Sequence, residues 1–330
     1  MTELAVALFA ASTGSHLLAA PRSERFRRFD AAFDEVRYRA DLSARGLRWV
    51  ARDERGFPAR LRSIHDPPPG LFLRGAGALE LFDRPCVAVV GARACSAYGS
   101  TVAFELGREL ARAGAVIVSG LARGVDAAAH RGALEGGETI AVLGCGVDRD
   151  YPRAHATLAA AIADQGLIVS EYPPGVEPAP WRFPARNRIV AGLCDATVVV
   201  EARERSGALI TADLALDEGR EVLAVPGEIT SLLSAGTNAL LRLGATPATC
   251  VGDVLAAVGL DPSPPPIPQT LEPRLEAVRA LVADAPLGAD EIANRAGLSA
   301  AAVAARLAEL ELLGVVVEAD GVYRVVMPRN

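Results

Sequence analysis

From residue 86 onward the chain alternates two kinds of apolar pattern. Short unbroken runs at 86–90, 115–118, 139–143, 167–169, 197–200 and 222–225 are separated by longer stretches with apolar residues at helical spacing, the first at 102–113. A run without polar alternation suits a strand buried on both faces, and strands that alternate with helices pair in parallel through right-handed crossovers. The pattern predicts an α/β fold: a doubly wound, Rossmann-like, mostly parallel sheet with helices on both faces. A further short strand at 71–73, after Pro67-Pro68-Pro69, is expected to join it.

The flanks read differently. Residues 1–45 have helical spacing, and the stretch from Arg22 to Arg48 carries eight Arg against five acids, so a small helical, mildly basic domain is expected over 1–75. The sheet domain then spans 76–260. Residues 261–273 hold six Pro, which predicts a semi-rigid extended spacer. The tail, 274–330, reads as a winged helix. Its helices lie at 275–284, 289–296 and 300–313, with Ser299 as the N-cap of the last, and a hairpin wing turns at Asp320-Gly321.

Composition narrows the class. A 51% hydrophobic share excludes a disordered chain, while no run is long and apolar enough to span a membrane, and Glu3 stands where a secretory signal would be basic. Cys86, Cys95, Cys145, Cys194 and Cys250 form no CxxC pair, and His16, His65, His130 and His155 show no metal spacing. They read as buried reduced thiols of a cytoplasmic protein, with no metal site. A net charge of −6 argues against a surface that coats nucleic acid, yet leaves room for a local basic groove. All 34 basic residues are Arg, so every cation is a planar fork able to pair a phosphate or lie on a base.

Candidate chemistry gathers after the strands. Gly91-Ala92-Arg93 follows the first run, where a glycine turn and a helix N-terminus can hold an anion. Ser119-Gly120 and Arg123 follow the second, Gly144-Cys145-Gly146 and Tyr151-Pro152 the third, and Ser206-Gly207 with Thr211 the fifth. Carboxyl ends of parallel strands converge on one crevice. Small residues there imply a ligand that comes close to the backbone. Between the fourth and fifth runs, Trp181, Arg182, Phe183, Arg186, Asn187 and Arg188 read as a loop of cations and rings ahead of a helix at 189–193. Such interleaving suits a single strand, with guanidinium groups on phosphates and rings on splayed bases.

These pieces in order, VAVVGARACSAYG, SGLARGVDAAAHRGAL, VLGCGVDRDYP, FPARNRIVAGL and SGALITADLALDEGREVLAVPG among them, resemble the DprA (Smf) family of DNA-processing proteins from about Trp49 to the C-terminus. The resemblance implies a non-enzymatic, cytoplasmic homodimer with a SAM-like N-terminal module. Such a protein would protect incoming single-stranded DNA and load the RecA recombinase in natural transformation. It implies phosphate contacts at Gly91-Ala92-Arg93, Arg186 and Arg188, and stacking by Phe183 with Trp181. Asn187 would bond a base edge or brace the loop, and Ser119, Gly120, Ser206, Gly207 and Thr211 would donate hydrogen bonds. Arg182 or Arg123 would replace a Lys that relatives use. The dimer surface would include Asn238, Leu240, Leu241 and Leu243. No cofactor, catalytic residue or membrane contact is implied.

Two other classes fit parts of the chain. A nucleotide-binding phosphoribohydrolase of similar fold would need a carboxylate near Leu214. A duplex-binding regulator would read DNA with the winged helix, but residues 271–330 hold nine acids against six Arg, with Arg306 the one cation of the recognition helix.

Overall fold

The computed structural model describes residues 2–13, 23–260, 271–319 and 321–325. Most of the Pro-rich spacer and Asp320 of the wing therefore lie outside the described residues. The chain divides into two compact units, one of residues 1–249 with 253–261, the other of residues 250–252 with 262–330.

The first unit is built on a nine-stranded sheet. Its strands are β1 (Leu47–Ala51), β2 (Gly70–Arg74), β3 (Cys86–Val90), β4 (Val116–Ser119), β5 (Thr139–Val142), β6 (Leu167–Ser170), β7 (Ala196–Val199), β8 (Glu221–Ala224) and β9 (Thr246–Pro247). Their order in space is β1-β2-β6-β5-β4-β3-β7-β8-β9. The strands from β6 to β9 pair in parallel, and β2 and β1 add antiparallel to the β6 edge. Residues up to 75 thus contribute two strands to the main sheet, and the N-terminal segment shares one compact unit with it.

The helices of this unit are α1 (Glu3–Thr13), α2 (Glu24–Ala32), α3 (Glu35–Ala44), α4 (Ala59–Arg62), α5 (Ala97–Arg112), α6 (Val125–Gly136), α7 (Ala156–Gln165), α8 (Arg182–Leu193), α9 (Gly207–Asp217), α10 (Ala235–Arg242) and, from Asp253 on, α11 (Val251–Ala257). Alternate residues of one strand enter different cores, as a strand's period of two requires. Ile140 and Val142 pack with Ile189, Val190 and Ala212 of α8 and α9, whereas Ala141 packs with Ala159 and Ile162 of α7 and Leu4 of α1. The central strands are buried throughout, which is why their sequences show no polar alternation.

The second unit holds α12 (Pro273–Asp284), α13 (Ala289–Ala296), α14 (Ala300–Leu312) and an antiparallel hairpin of β10 (Val316–Ala319) and β11 (Val322–Val325). Ser299 caps α14 by accepting the Ala302 N–H at 3.3 Å. Leu275, Val278, Ile292, Val303, Leu307 and Leu310 form a separate core.

Among the described residues no helix is long and apolar enough to cross a membrane, and no cluster of three His, Cys, Asp or Glu side chains could hold a metal. None of the five cysteines is in a disulfide. Cys86, Cys145 and Cys194 are buried, and burial pushes Cys86 up to about 12 and Cys145 up to about 11. Cys95 and Cys250 are only half-buried, contrary to the expectation for all five.

Candidate functional site

The path leaves β3 for β4, β5 and β6, and α8 then carries it back to β7 on the other side of β3. A reversal of this kind opens a crevice beyond the strand ends. Here it is a cavity of about 330 Å³, walled by Gly91 and Arg93 after β3, Gly120 and Ala122 after β4, Phe183, Arg186 and Asn187 on α8, and Ser206, Gly207 and Thr211 at the start of α9.

Helix α8 begins at Arg182, so the cations and rings lie on its first turns and do not form a loop. Pro184 is tolerated there because first-turn N–H groups need no helical partner. Helical spacing then stacks Phe183, Arg186, Asn187 and Val190 on one stripe, and all four line the cavity. Arg188 faces elsewhere: its Nε donates to Asp66 at 3.0 Å and its Nη2 to the buried Glu171 at 2.6 Å. Arg182 lies 5.1 Å from the ring centroid of Tyr172 and 4.9 Å from that of Trp181, and donates to the Glu177 carbonyl. Trp181 itself is exposed.

Arg186 is a buried cation. Its Nη1 donates to the Gly120 carbonyl at 2.9 Å and to the Val142 carbonyl. Burial pulls its pKa down, and the charge of Asp126 works against that fall. Asp126 in turn accepts the N–H groups of Gly120 at 3.1 Å and Ala122 at 3.2 Å; burial raises its carboxyl, opposed by Arg186. Between those two amides Leu121 adopts φ 57°, a left-handed conformation that costs a non-glycine residue about 1 kcal/mol or more. Asp126 therefore holds the β4 turn in a strained shape, and Arg186 braces it from α8.

This arrangement alters several expected roles. The Gly120 amide is already bound to Asp126, and the Ser119 hydroxyl donates to the Val89 carbonyl at 2.7 Å inside the sheet. A Cβ at Gly120 would sit 2.3 Å from Arg186, and one at Gly91 2.6 Å from Val125, so the protein itself fills the space these glycines leave. Gly207 differs: nothing lies within 4 Å of its missing Cβ. The N-terminus of α5 is also answered internally. Glu201 accepts the Ser96 N–H at 2.9 Å and the Ser96 hydroxyl at 2.5 Å, meeting the helix dipole with its own carboxylate.

What stays open is Arg93. It is exposed, and no carboxylate among the described residues pairs with it; its guanidinium carbon lies 5.6 Å from the Phe183 ring centroid. Arg123 is likewise exposed and unpaired among the described residues. Asn187 donates through Nδ2 to the Gly207 carbonyl at 3.2 Å, tying α8 to α9. The result is a cation on a ring at the mouth of a half-polar crevice, suited to an anion joined to a planar group. Sequence reasoning did not place Asp126 in the site, although helix-period reading of GLARGVD could have put it beneath the turn. It noted Tyr151 after the third strand but gave it no role; its ring stacks on Phe183 at 5.3 Å and 21°.

Away from the crevice, Asn238 clasps Gly227, donating to its carbonyl at 3.0 Å and accepting its N–H at 3.3 Å. Leu240 is buried and Leu241 packs on the core, while Leu243 is exposed, as are Ile229 and Leu232 in the preceding loop. Leu214, where a phosphoribohydrolase would need its carboxylate, packs on the core. In the second unit Arg274, Arg279 and Arg295 pair with carboxylates, and Arg306 donates to the Arg274 carbonyl at 3.4 Å.

The profile of the family described as DNA recombination-mediator protein A matches residues 48–259, and that of the DprA winged helix domain matches residues 261–321. The protein Smf of Escherichia coli is 40% identical over 287 residues, 83% of this chain and 76% of that protein. The X-ray structure of DNA processing protein A from Streptococcus pneumoniae superposes with a TM-score of 0.65 at 40% identity, covering 77% of this chain and 91% of that one. DNA processing protein A from Helicobacter pylori, described for its single-stranded DNA binding mode, gives a TM-score of 0.57 at 34% identity over 63% of this chain and 94% of that one.

Proposed function

This chain belongs to the DNA recombination-mediator protein A (DprA, Smf) family, and from that membership we propose that it binds single-stranded DNA in the crevice at the switch point. The observation that carries the reading is Arg93, an exposed guanidinium without an acidic partner among the described residues, seated on the Phe183 ring beside the cavity. Arg93 takes a backbone phosphate, and Phe183, stacked on Tyr151, holds that guanidinium in place beside the strand. Asn187, Ser206 and Thr211 supply polar contacts along the far wall, and Gly207 leaves room for the strand.

Arg186 and Arg188 serve this site by position. Arg186 fixes the β4 turn, and Arg188 anchors α8 to Glu171 and Asp66, so that Phe183 and Asn187 present one face to the strand. Trp181 and Arg182 extend the same surface outward. The bound strand is thereby shielded and handed to the RecA recombinase, in the cytoplasm, by a homodimer formed through the α10 surface around Leu243. The winged helix serves a protein contact, because the cations among its described residues are spent on its own carboxylates and carbonyls.

The test is a fluorescence-anisotropy titration of labelled oligothymidylate with the matching duplex as competitor. Binding that ignores the duplex and collapses in Arg93→Ala supports the reading; normal binding by Arg93→Ala overturns it.

A further inference from the structure

A second cavity, of about 390 Å³, lies against the first. Arg93, Gly120, Phe183 and Arg186 line both, so the Arg93–Phe183 pair stands as a partition between two adjoining spaces. Each volume falls in the range of about 300–1,000 Å³ usual for small-molecule sites. The second space adds Arg123, Gly144 and Tyr151 to these walls. Tyr151 stacks on Phe183 yet remains 42% exposed, so one face of its ring is turned away from that stack. Arg123 is exposed and has no acidic partner among the described residues. Gly144 brings backbone to the same wall, where a Cβ would stand 3.0 Å from Phe183.

An exposed ring and a guanidinium unpaired among the described residues thus line one space. We propose that this second cavity is a further nucleotide subsite. A single strand crosses the partition with its linking phosphate at Arg93, seats the next base on the open face of Tyr151, and sets the following phosphate against Arg123. The stack Phe183–Tyr151 is then continued by a base of the ligand, which needs a planar face and no particular base edge. The site thereby grips at least two consecutive nucleotides and stays indifferent to their sequence. This inference rests on single-strand binding at Arg93.

The experiment uses the full-length chain, with 5′-phosphorylated thymidine mono-, di- and tetranucleotides as competitors of a labelled oligothymidylate. A single 2-aminopurine in the strand reports stacking. Wild type should gain affinity from one nucleotide to two. Tyr151→Ala should lose roughly tenfold in affinity, the effect of one base–aromatic stack, and release the 2-aminopurine quenching; Tyr151→Phe should keep both. Arg123→Gln, at an exposed position without partners, should flatten the salt dependence by about one phosphate contact. If Tyr151→Ala and Arg123→Gln keep the wild-type length dependence and salt slope, the second subsite is refuted. Should Tyr151→Ala misfold by circular dichroism, the Arg123→Gln slope and the wild-type step from one nucleotide to two decide the matter. Failure of wild type to bind the strand, or indifference to Arg93→Ala, would instead refute the underlying reading.

Discussion

Arg93 and Phe183, from a turn after β3 and a helix far along the chain, meet with the guanidinium carbon 5.6 Å from the ring centroid. The pairing holds a cation in place without neutralising it, because a ring face attracts positive charge yet carries none of its own. A phosphate arriving there meets a charge already oriented.

Replacing Arg93 by Ala should therefore weaken oligothymidylate binding by about tenfold to a hundredfold, the loss of a charge-assisted contact of about 1.5–3 kcal/mol. Stability should change by no more than about 1 kcal/mol, since Arg93 makes one exposed cation–ring contact in the free protein. The slope of log affinity against log salt should become shallower by about 0.7. A parallel loss at every salt concentration would mean that Arg93 does not touch phosphate.

Arg186 should behave oppositely. It is buried, bonded to two carbonyls and set against the charge of Asp126. Arg186→Met leaves the Gly120 and Val142 carbonyls without this donor and removes the charge that eases Asp126's burial, which should cost about 2–4 kcal/mol in a urea melt. Asp126→Asn in the same chain should restore part of that loss. Equal stability of Arg186→Met and wild type would remove Arg186 from the scaffold.

Stability should also fall with acid. His130 is fully buried, and desolvation together with the nearby Arg186 pushes its pKa down to about 3. Below the ordinary value of 6.5 the unfolded chain binds a proton that the folded chain refuses, so folding weakens as pH drops from about 6.5 toward 3. The slope from this group approaches about 1.4 kcal/mol per pH unit. Urea melts at pH 7, 6 and 5 should show this decline in wild type and a shallower one in His130→Gln; parallel declines would assign the effect to other groups.

Leu243 is 85% exposed at the end of α10, on the surface proposed for the homodimer. Leu243→Glu should convert a dimer to a monomer in light scattering at micromolar concentration. It should leave thermal unfolding of the monomer unchanged. A wild-type chain that is already monomeric would remove this surface from the assembly.

A chain ending at residue 261 should keep its affinity for oligothymidylate, because the crevice and its supports lie within the sheet unit. Loss of binding on truncation would move the reader to the winged helix.

Some of this was legible in the chain itself. The β3, β4, β5, β6, β7 and β8 strands stand within a residue or two of their apolar runs, because burial on both faces writes itself locally as an unbroken apolar stretch. Ser299 as a helix cap, the three helices of the second unit and the hairpin were equally local signals. The antiparallel β1, with alternating burial at its start, gave a weaker pattern, and its place at the sheet edge depends on pairing with β2.

What the sequence could not apportion was the work of its arginines. Arg93, Arg186 and Arg188 are the same residue, and all three read as phosphate ligands. The fold leaves Arg93 open on a ring, buries Arg186 against two carbonyls, and commits Arg188 to Glu171 and Asp66. The reason is geometric. Two residues apart on a helix, Arg186 and Arg188 point to different sides, and each finds partners from strands and turns distant in the chain. Periodicity along the chain determined the sheet, its helices and the edge where the crevice opens. Which cations face that crevice unpaired was decided only when distant carboxylates and carbonyls had claimed the others.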